Sequence, residues 1–325
     1  MSKIDTGGAT AIKGFNYQKA SMILVMIKNH RKEAFMVIPE AEDDFEIRYE
    51  NKCFFIQVKG TKNLSLSNLT RRSKGKKAKE KPSILEKNIS PGENTDIRKL
   101  FLWSLIDSTK KELEEVYNHQ IISPIYKLSN KQKNQAITKL NLNKEQICRL
   151  NNQYIYITPF INDNNNAITF LNGVMVNEGL ITDKKRARLI LGELCLQIDQ
   201  KSEIAIINQE DYDKNIISGD YLGRIFTTSE QMYNFDQILN TLEISSMKKM
   251  KIRKEKVKIP FLYQSTKAKI KSRITADSLL DIPDREALEI LIDLAKEIRD
   301  NINDELLWAL AIECYCELGE ELYDN

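Results

Sequence analysis

The sequence predicts a mixed α/β domain followed by a mostly helical C-terminal domain, and three observations predict it. First, helix-periodic and strand-periodic segments alternate through the N-terminal half, in the order helix, strand, hairpin, helix, strand. Second, the hairpin segment 43–60 (DDFEIRYENKCFFIQVKG) keeps a period-two pattern on both arms. Third, the chain from Asp277 onward is acidic and carries two amphipathic helical patterns. The first domain is assigned to residues 1–210, with its end between 165 and 210, and the second to residues 211–325.

Residues 14–32 predict a helix, because Phe15, Tyr17, Ala20, Ile23, Leu24 and Ile27 make one wide apolar face. Gly7 and Gly8 precede it and read as a flexible arm. Residues 33–38 predict a short strand stopped by Pro39. Residues 62–93 are polar and basic, contain Pro82 and Pro91-Gly92, and read as a long loop. A helix is expected over 95–117, capped by Thr95 or Asp96, with Ile97, Leu100, Phe101, Leu105 and Ile106 inward. Shorter helices are expected near 130–140 and 143–151, a strand over 154–158, and helices near 184–199, 284–299 and 303–320. The apolar residues of the last pair, Trp308 and Leu310 among them, are more than two isolated helices need, which points to assembly.

Composition narrows the chemistry. The 325 residues are 42% hydrophobic and 29% charged, enough for a packed core, while a net charge of +3 says little about partners. No apolar run approaches a membrane span, so the protein is expected in the cytoplasm. The five cysteines are scattered without a CxxC pair and read as reduced thiols; Cys314 and Cys316 read as core filler. With two histidines only, His30 and His119, a histidine zinc site or a Ser-His-Asp triad is hard to build. Hydrolytic chemistry would rest on carboxylates and lysine.

The hairpin supplies both. Phe45, Ile47 and Tyr49 share one face of the first arm, and Phe54, Ile56 and Val58 share one face of the second. If both sets face one core, a two-residue turn at Glu50-Asn51 sets Asp44 opposite Gln57 and Glu42 opposite Lys59. Opposed Cβ atoms lie about 4.5–5.5 Å apart. A carboxylate, an amide oxygen and an ammonium then surround one point. Phosphodiester hydrolysis needs an oxygen nucleophile and neutralisation of charge on the phosphate, and a hard divalent cation on oxygen ligands provides both. Asp44 is the anionic ligand; Gln57 or the Val58 main-chain carbonyl is a neutral one; Glu42 is a further candidate. Lys59 would hold the attacking water. Against this stands a solvated acidic loop beside an edge lysine.

Three motifs give the hairpin a context: Gly14-Phe15-Asn16-Tyr17-Gln18 opening the first helix, Glu42-Asp43-Asp44-Phe45 before a strand, and Phe55-Ile56-Gln57-Val58-Lys59 ending the next. Together they resemble the PD-(D/E)xK nuclease superfamily, in the variant where Q-x-K replaces the acid-x-lysine pair. More narrowly, they look like the double-stranded-DNA endonuclease domain of bacterial anti-phage effectors, as in CBASS effectors and the nuclease subunit of Lamassu-type systems. A helix around Leu102-Trp103-Ser104-Leu105 loosely matches a tryptophan-bearing helix of that domain.

The resemblance implies a restriction-endonuclease-like mixed sheet flanked by helices and cutting of duplex DNA with Mg2+ or Mn2+. It carries over Asp44, Gln57 and Lys59 as the catalytic set and Gln18 as an accessory. Gly60 stands where histidine is the more usual residue. The C-terminal part looks too small and too helical for a nucleotide sensor, which favours the Lamassu-like subunit. The implied partners are double-stranded DNA, an SMC-like ATPase, a small third subunit and further copies of the chain on activation, with no membrane. Two other readings stay open: a degenerate nuclease fold that binds without cutting, and a restriction-like nuclease acting alone. The basic residues Arg71, Arg72, Lys74, Lys76 and Lys77 read either as a DNA clamp or as a solvated loop. The basic stretch 247–258 has the same two readings.

Overall fold

The computed structural model describes residues 7–32, 34–74, 80–117, 119–180 and 184–321. The chain opens with helix α1 (Gly7–Asn29), followed by strands β1 (Met36–Pro39), β2 (Phe45–Tyr49) and β3 (Lys52–Lys59). The helix begins at Gly7, so the two glycines expected as a flexible arm form its first turn. Next come α2 (Leu66–Leu69), a small ribbon of β4 (Ser73–Lys74) and β5 (Glu80–Lys81), and α3 (Ile84–Ile89). The stretch expected to be one long loop thus holds two helices. Each starts with a reciprocal capping box, Ser65 with Asn68 and Ser83 with Glu86.

A second expectation is overturned beyond it. The segment expected as a helix over 95–117 contains strand β6 (Ile97–Leu102), the single turn α4 (Asp107–Lys110) and strand β7 (Glu114–Val116). Trp103 follows the end of a strand and is not on a helix. Strand β8 (Ile125–Lys127), helices α5 (Asn130–Leu140) and α6 (Lys144–Asn151), and strand β9 (Gln153–Ile157) follow; these last three agree with the sequence. Helices α7 (Asn164–Asn177), α8 (Lys184–Ser202) and α9 (Gln209–Lys214) lead to β10 (Ile217–Ser218) and α10 (Gly219–Thr241).

Eight strands form one mixed sheet in the order β10-β1-β2-β3-β6-β9-β8-β7. The central neighbours β3, β6 and β9 run parallel, and the remaining pairs are antiparallel. The mixed α/β class holds. One sheet face packs Phe45, Ile47, Phe54, Ile56 and Val58 with Ile23 and Ile27 of α1. The other packs Leu100, Leu102 and Ile155 with Leu69 of α2 and Leu85 and Ile89 of α3. Strand β6 is buried on both faces, which erases the alternation that marks a half-buried strand.

Two charges lie inside β6. Arg98 donates to the carbonyls of Pro91, Glu93 and Asp96, and Lys99 donates to Gln120 O at 2.7 Å. Burial pushes the Lys99 ammonium down from 10.5 to about 7. The unfolded chain keeps that proton up to about pH 10, so stability rises between about pH 7 and 10, and below that window the full cost of a buried charge is present. Lys99→Met is therefore expected to raise stability by ~1–3 kcal/mol near pH 6, after subtracting about 1 kcal/mol for the lost bond to Gln120. The gain should fade towards pH 10, and urea melts across that range check it.

The first compact unit runs to Phe226, and a second starts at Thr227, within α10. The first extends this far because β10 pairs with β1 and Tyr212 of α9 donates to Glu46. The second unit contains α11 (Ser246–Lys256), α12 (Gln264–Lys271), α13 (Asp284–Ile298) and α14 (Asp304–Glu321). Its core joins Leu288 and Leu291 to Leu307, Leu310 and Cys314. Burial pushes the Cys314 thiol up to about 12, as befits core filler. Basic residues of α11 are paired inside the unit: Lys248 with Asp304, Lys251 with Glu305 and Lys256 with Glu313.

Candidate active site

The hairpin turns where the sequence places it. Glu50 (φ 50°) and Asn51 (φ 58°) both adopt the left-handed conformation, the backbone of a tight hairpin turn matched to strand twist. The ladder runs from Tyr49↔Lys52 to Phe45↔Ile56. Because Phe45, Ile47, Phe54, Ile56 and Val58 all enter one core, the parity of the strand sends Glu46, Arg48, Gln57 and Lys59 to the opposite face. Asp44 lies one step beyond the last ladder pair, beside the end of β3 that carries Gln57, Val58 and Lys59.

Three functional groups meet there. The Val58 N–H donates to Asp44 Oδ2 at 2.6 Å, and Lys59 Nζ lies 3.7 Å from the same oxygen. The Asp44 and Lys59 side chains are 18% and 28% exposed, shielded yet reachable. Within a strand the N–H and C=O of one residue leave toward the same edge, so the Val58 carbonyl also faces the Asp44 side. Gln57 is buried, and its Oε1 has no hydrogen-bond donor. A buried carbonyl oxygen left unpaired costs about 1–3 kcal/mol, which a bound cation or its water would offset. The Trp103 N–H fixes the Lys59 carbonyl at 3.2 Å.

Among the described residues Glu42 makes no ion pair with Lys59, whose carboxylate partner is Asp44. The chain bends before β2, where the Glu40 N–H closes on Asp44 O at 3.1 Å, so the ladder stops at Phe45 and the register ceases to apply. The Glu42 N–H instead donates to Glu46 Oε1, and Glu42 lines a neighbouring cavity of about 520 Å3 with Glu46, Arg48, Cys53 and Tyr212. Asp43 enters the sequence reading only as part of the acidic motif, without a role of its own, yet it is hydrogen-bonded to Asp44. Its Oδ1 accepts the Asp44 N–H at 3.0 Å and its Oδ2 accepts Asn88 Nδ2 at 2.8 Å. Burial pushes its carboxyl up to about 6. Asn88 carried no sequence signal, because it acts from a helix read as loop.

Gly60 has a structural cause. Its carbonyl accepts Asn162 Nδ2 at 2.9 Å, and a Cβ at Gly60 would stand 2.4 Å from that nitrogen and 3.0 Å from Tyr17 Cδ1. A side chain here would have to push aside the Asn162 amide and press on the Tyr17 ring of α1. Gly60→Ala is therefore expected to displace the strand end and slow cutting about tenfold, at a stability cost of ~1–3 kcal/mol. Cleavage rates and thermal melts of the two proteins check it. Tyr17 itself is anchored by a hydrogen bond to Thr158 and an edge contact with Phe160. Gln18 is half-buried one residue further along α1; among the described residues it has no hydrogen bond or ion pair to Asp44, Gln57 or Lys59.

The basic segment divides. Arg71 is exposed. Arg72 is committed: Nε donates to both Glu86 oxygens at 2.9 and 3.1 Å and Nη2 donates to Leu140 O, so it braces α3 in place of a free phosphate contact. The side chain of Lys74, and Lys76 and Lys77 altogether, lie outside the described residues.

Among the described residues no group of three or more His, Cys, Asp or Glu side chains converges as a metal cage. The donor set is leaner: the Asp44 carboxylate, the orphaned Gln57 amide oxygen and the Val58 carbonyl. All are hard oxygen donors, the set that Mg2+ or Mn2+ accepts while keeping several waters. The residues present fit such an ion.

Residues 6–167 match the family described as the Cap4 double-stranded DNA endonuclease domain. The chain is 49% identical over 322 residues to a protein of Bacillus sp. named Lamassu protein LmuA, covering 98% of this chain and all of that one.

Proposed function

Since the chain belongs to the Lamassu LmuA family and carries its Cap4-type endonuclease domain, we propose that it cuts double-stranded DNA with a divalent cation, as the effector nuclease of a Lamassu-like anti-phage complex. The observation that carries this reading is the convergence on Asp44 Oδ2 of the Val58 N–H and Lys59 Nζ, with the neighbouring strand residue Gln57 buried and its side-chain oxygen unpaired. A Mg2+ or Mn2+ ion held by Asp44, Gln57 and the Val58 carbonyl would neutralise charge on the phosphate and supply a water of lowered pKa. The chain's own groups do the rest. Lys59 orients the attacking water and offsets charge as the water oxygen bonds to phosphorus and gives up a proton to bulk water. The bond from phosphorus to the leaving sugar oxygen breaks, and that oxygen takes up a proton. The Val58 N–H holds the carboxylate so that its remaining electron pairs stay directed outward.

With glutamine in place of a second acid, the site has one negative charge fewer and holds its ion more weakly. That suits an enzyme completed by DNA or by assembly. Restraint is a physical need, because the sequence shows no base-reading motif such as a helix-turn-helix or a zinc finger, and a free non-specific nuclease would cut the host chromosome. The proposed partners are an SMC-like ATPase, a small third subunit and further copies of the chain. Among the described residues no helix is long and apolar enough to cross a membrane.

Incubation of the assembled complex with supercoiled plasmid, trigger DNA and Mg2+ tests the proposal. Linear product that disappears with chelator is expected. Absence of cutting in every assembly state would leave a DNA- or protein-binding module. Full cutting by the isolated chain would make it a restriction-like nuclease acting alone.

A further inference from the structure

The β2–β3 ladder ends at Phe45, so no cross-strand pairing to β3 holds Asp44, whose carbonyl accepts the Glu40 N–H on the other side. Asn88 makes up for that. Its side chain is fully buried, and its single Nδ2 bridges Asp43 Oδ2 at 2.8 Å and the Phe55 carbonyl at 3.3 Å. Asp43 in turn receives the Asp44 N–H, and Asp44 receives the Val58 N–H. The links Phe55, Asn88, Asp43, Asp44 and Val58 close a ring of hydrogen bonds that leaves β3 and returns to it three residues later. Helix α3 is itself fixed by the Ser83–Glu86 capping box, by Arg72 on Glu86 and by buried Leu85 and Ile89.

The chemistry of Asn88 argues against a merely structural amide. Its Oδ1 is buried and accepts no hydrogen bond, so the residue carries an unmet desolvation cost that a leucine of similar size would not. We infer that Asn88 is a positioning residue, which through Asp43 holds the Asp44 carboxylate toward a divalent cation. This inference rests on the metal-site reading above. It predicts that losing the Asn88–Asp43 bond weakens cation binding before it weakens the fold.

The test measures Mn2+ binding to the full-length protein by electron paramagnetic resonance, without DNA, alongside thermal melts and cutting rates. Asn88→Leu and Asp43→Asn are each expected to raise the Mn2+ dissociation constant about tenfold, as loss of an outer-shell partner does. Both should melt close to the parent, and cutting should recover at high Mn2+. The double variant should bind no more weakly than the worse single one, since both act through one bond. Parent-like Mn2+ binding in Asp43→Asn, or in a folded Asn88→Leu, would overturn the inference. An Asp44→Asn arm separates the two levels: if it too binds Mn2+ like the parent, the metal-site reading itself fails and takes this inference with it.

Discussion

Lys59→Ala is expected to abolish plasmid cutting, by about 10²–10⁴-fold, while leaving the fold and DNA binding intact. The ammonium lies 3.7 Å from Asp44 Oδ2, at the end of β3 and at the boundary between core and solvent. No other described cation is paired with Asp44, so nothing replaces it. The fold should hardly notice, because a partly exposed ion pair contributes only about 0–1 kcal/mol. Nor should a single charge dominate binding to a phosphate backbone contacted at several points. Lys59→Arg should not rescue, since a planar fork on a longer stem does not reproduce a compact point charge. Linearisation kinetics, gel shift and thermal melt together check the separation. Cutting at the parental rate in Lys59→Ala would move the active site elsewhere in the chain.

The hairpin that presents Lys59 was legible because its information is local. Parity follows from counting apolar residues, and the turn needs two positions with φ above zero, which Asn51 accepts readily and Glu50 accepts under the pull of the ladder. Strand β6 was not legible for the opposite reason. Ile97, Leu100, Phe101 and Leu105 fit one face of a helix as well as a strand buried on both sides, and periodicity cannot separate the two. What decides the matter is distant: Leu100 pairs with Gln57 on one side and Ile155 on the other. Asn88 and Asn162 were silent for the same reason. Asn88 works through hydrogen bonds to residues 45 and 33 positions away and Asn162 through one to a residue 102 positions away, and a lone asparagine has no pattern. Gly60 announced a departure, but its cause lies in α1 and in the chain after β9.

Asp44→Asn is expected to have the second large effect, and it isolates charge from shape. Asparagine keeps the size of the side chain and an oxygen that can accept the Val58 N–H, so the 2.6 Å bond and the bend before β2 should survive. What disappears is the proposed anionic ligand of a site that already has glutamine at its second position. Losing an outer-shell partner costs ~10–100-fold in metal affinity, and losing the only charged direct ligand should cost more. The expected result is a folded protein whose cutting falls at least about a hundredfold and recovers only in part with excess Mn2+. Gln57→Glu runs the charge change in reverse. A second carboxylate should tighten cation binding and lower the Mg2+ concentration needed for half-maximal cutting, provided the Lys59 ammonium still reaches its water. Opposite shifts in the two titrations would assign the ion to the space between Asp44 and Gln57. Unchanged Mg2+ dependence in both would place the ion, and with it the chemistry, outside the hairpin.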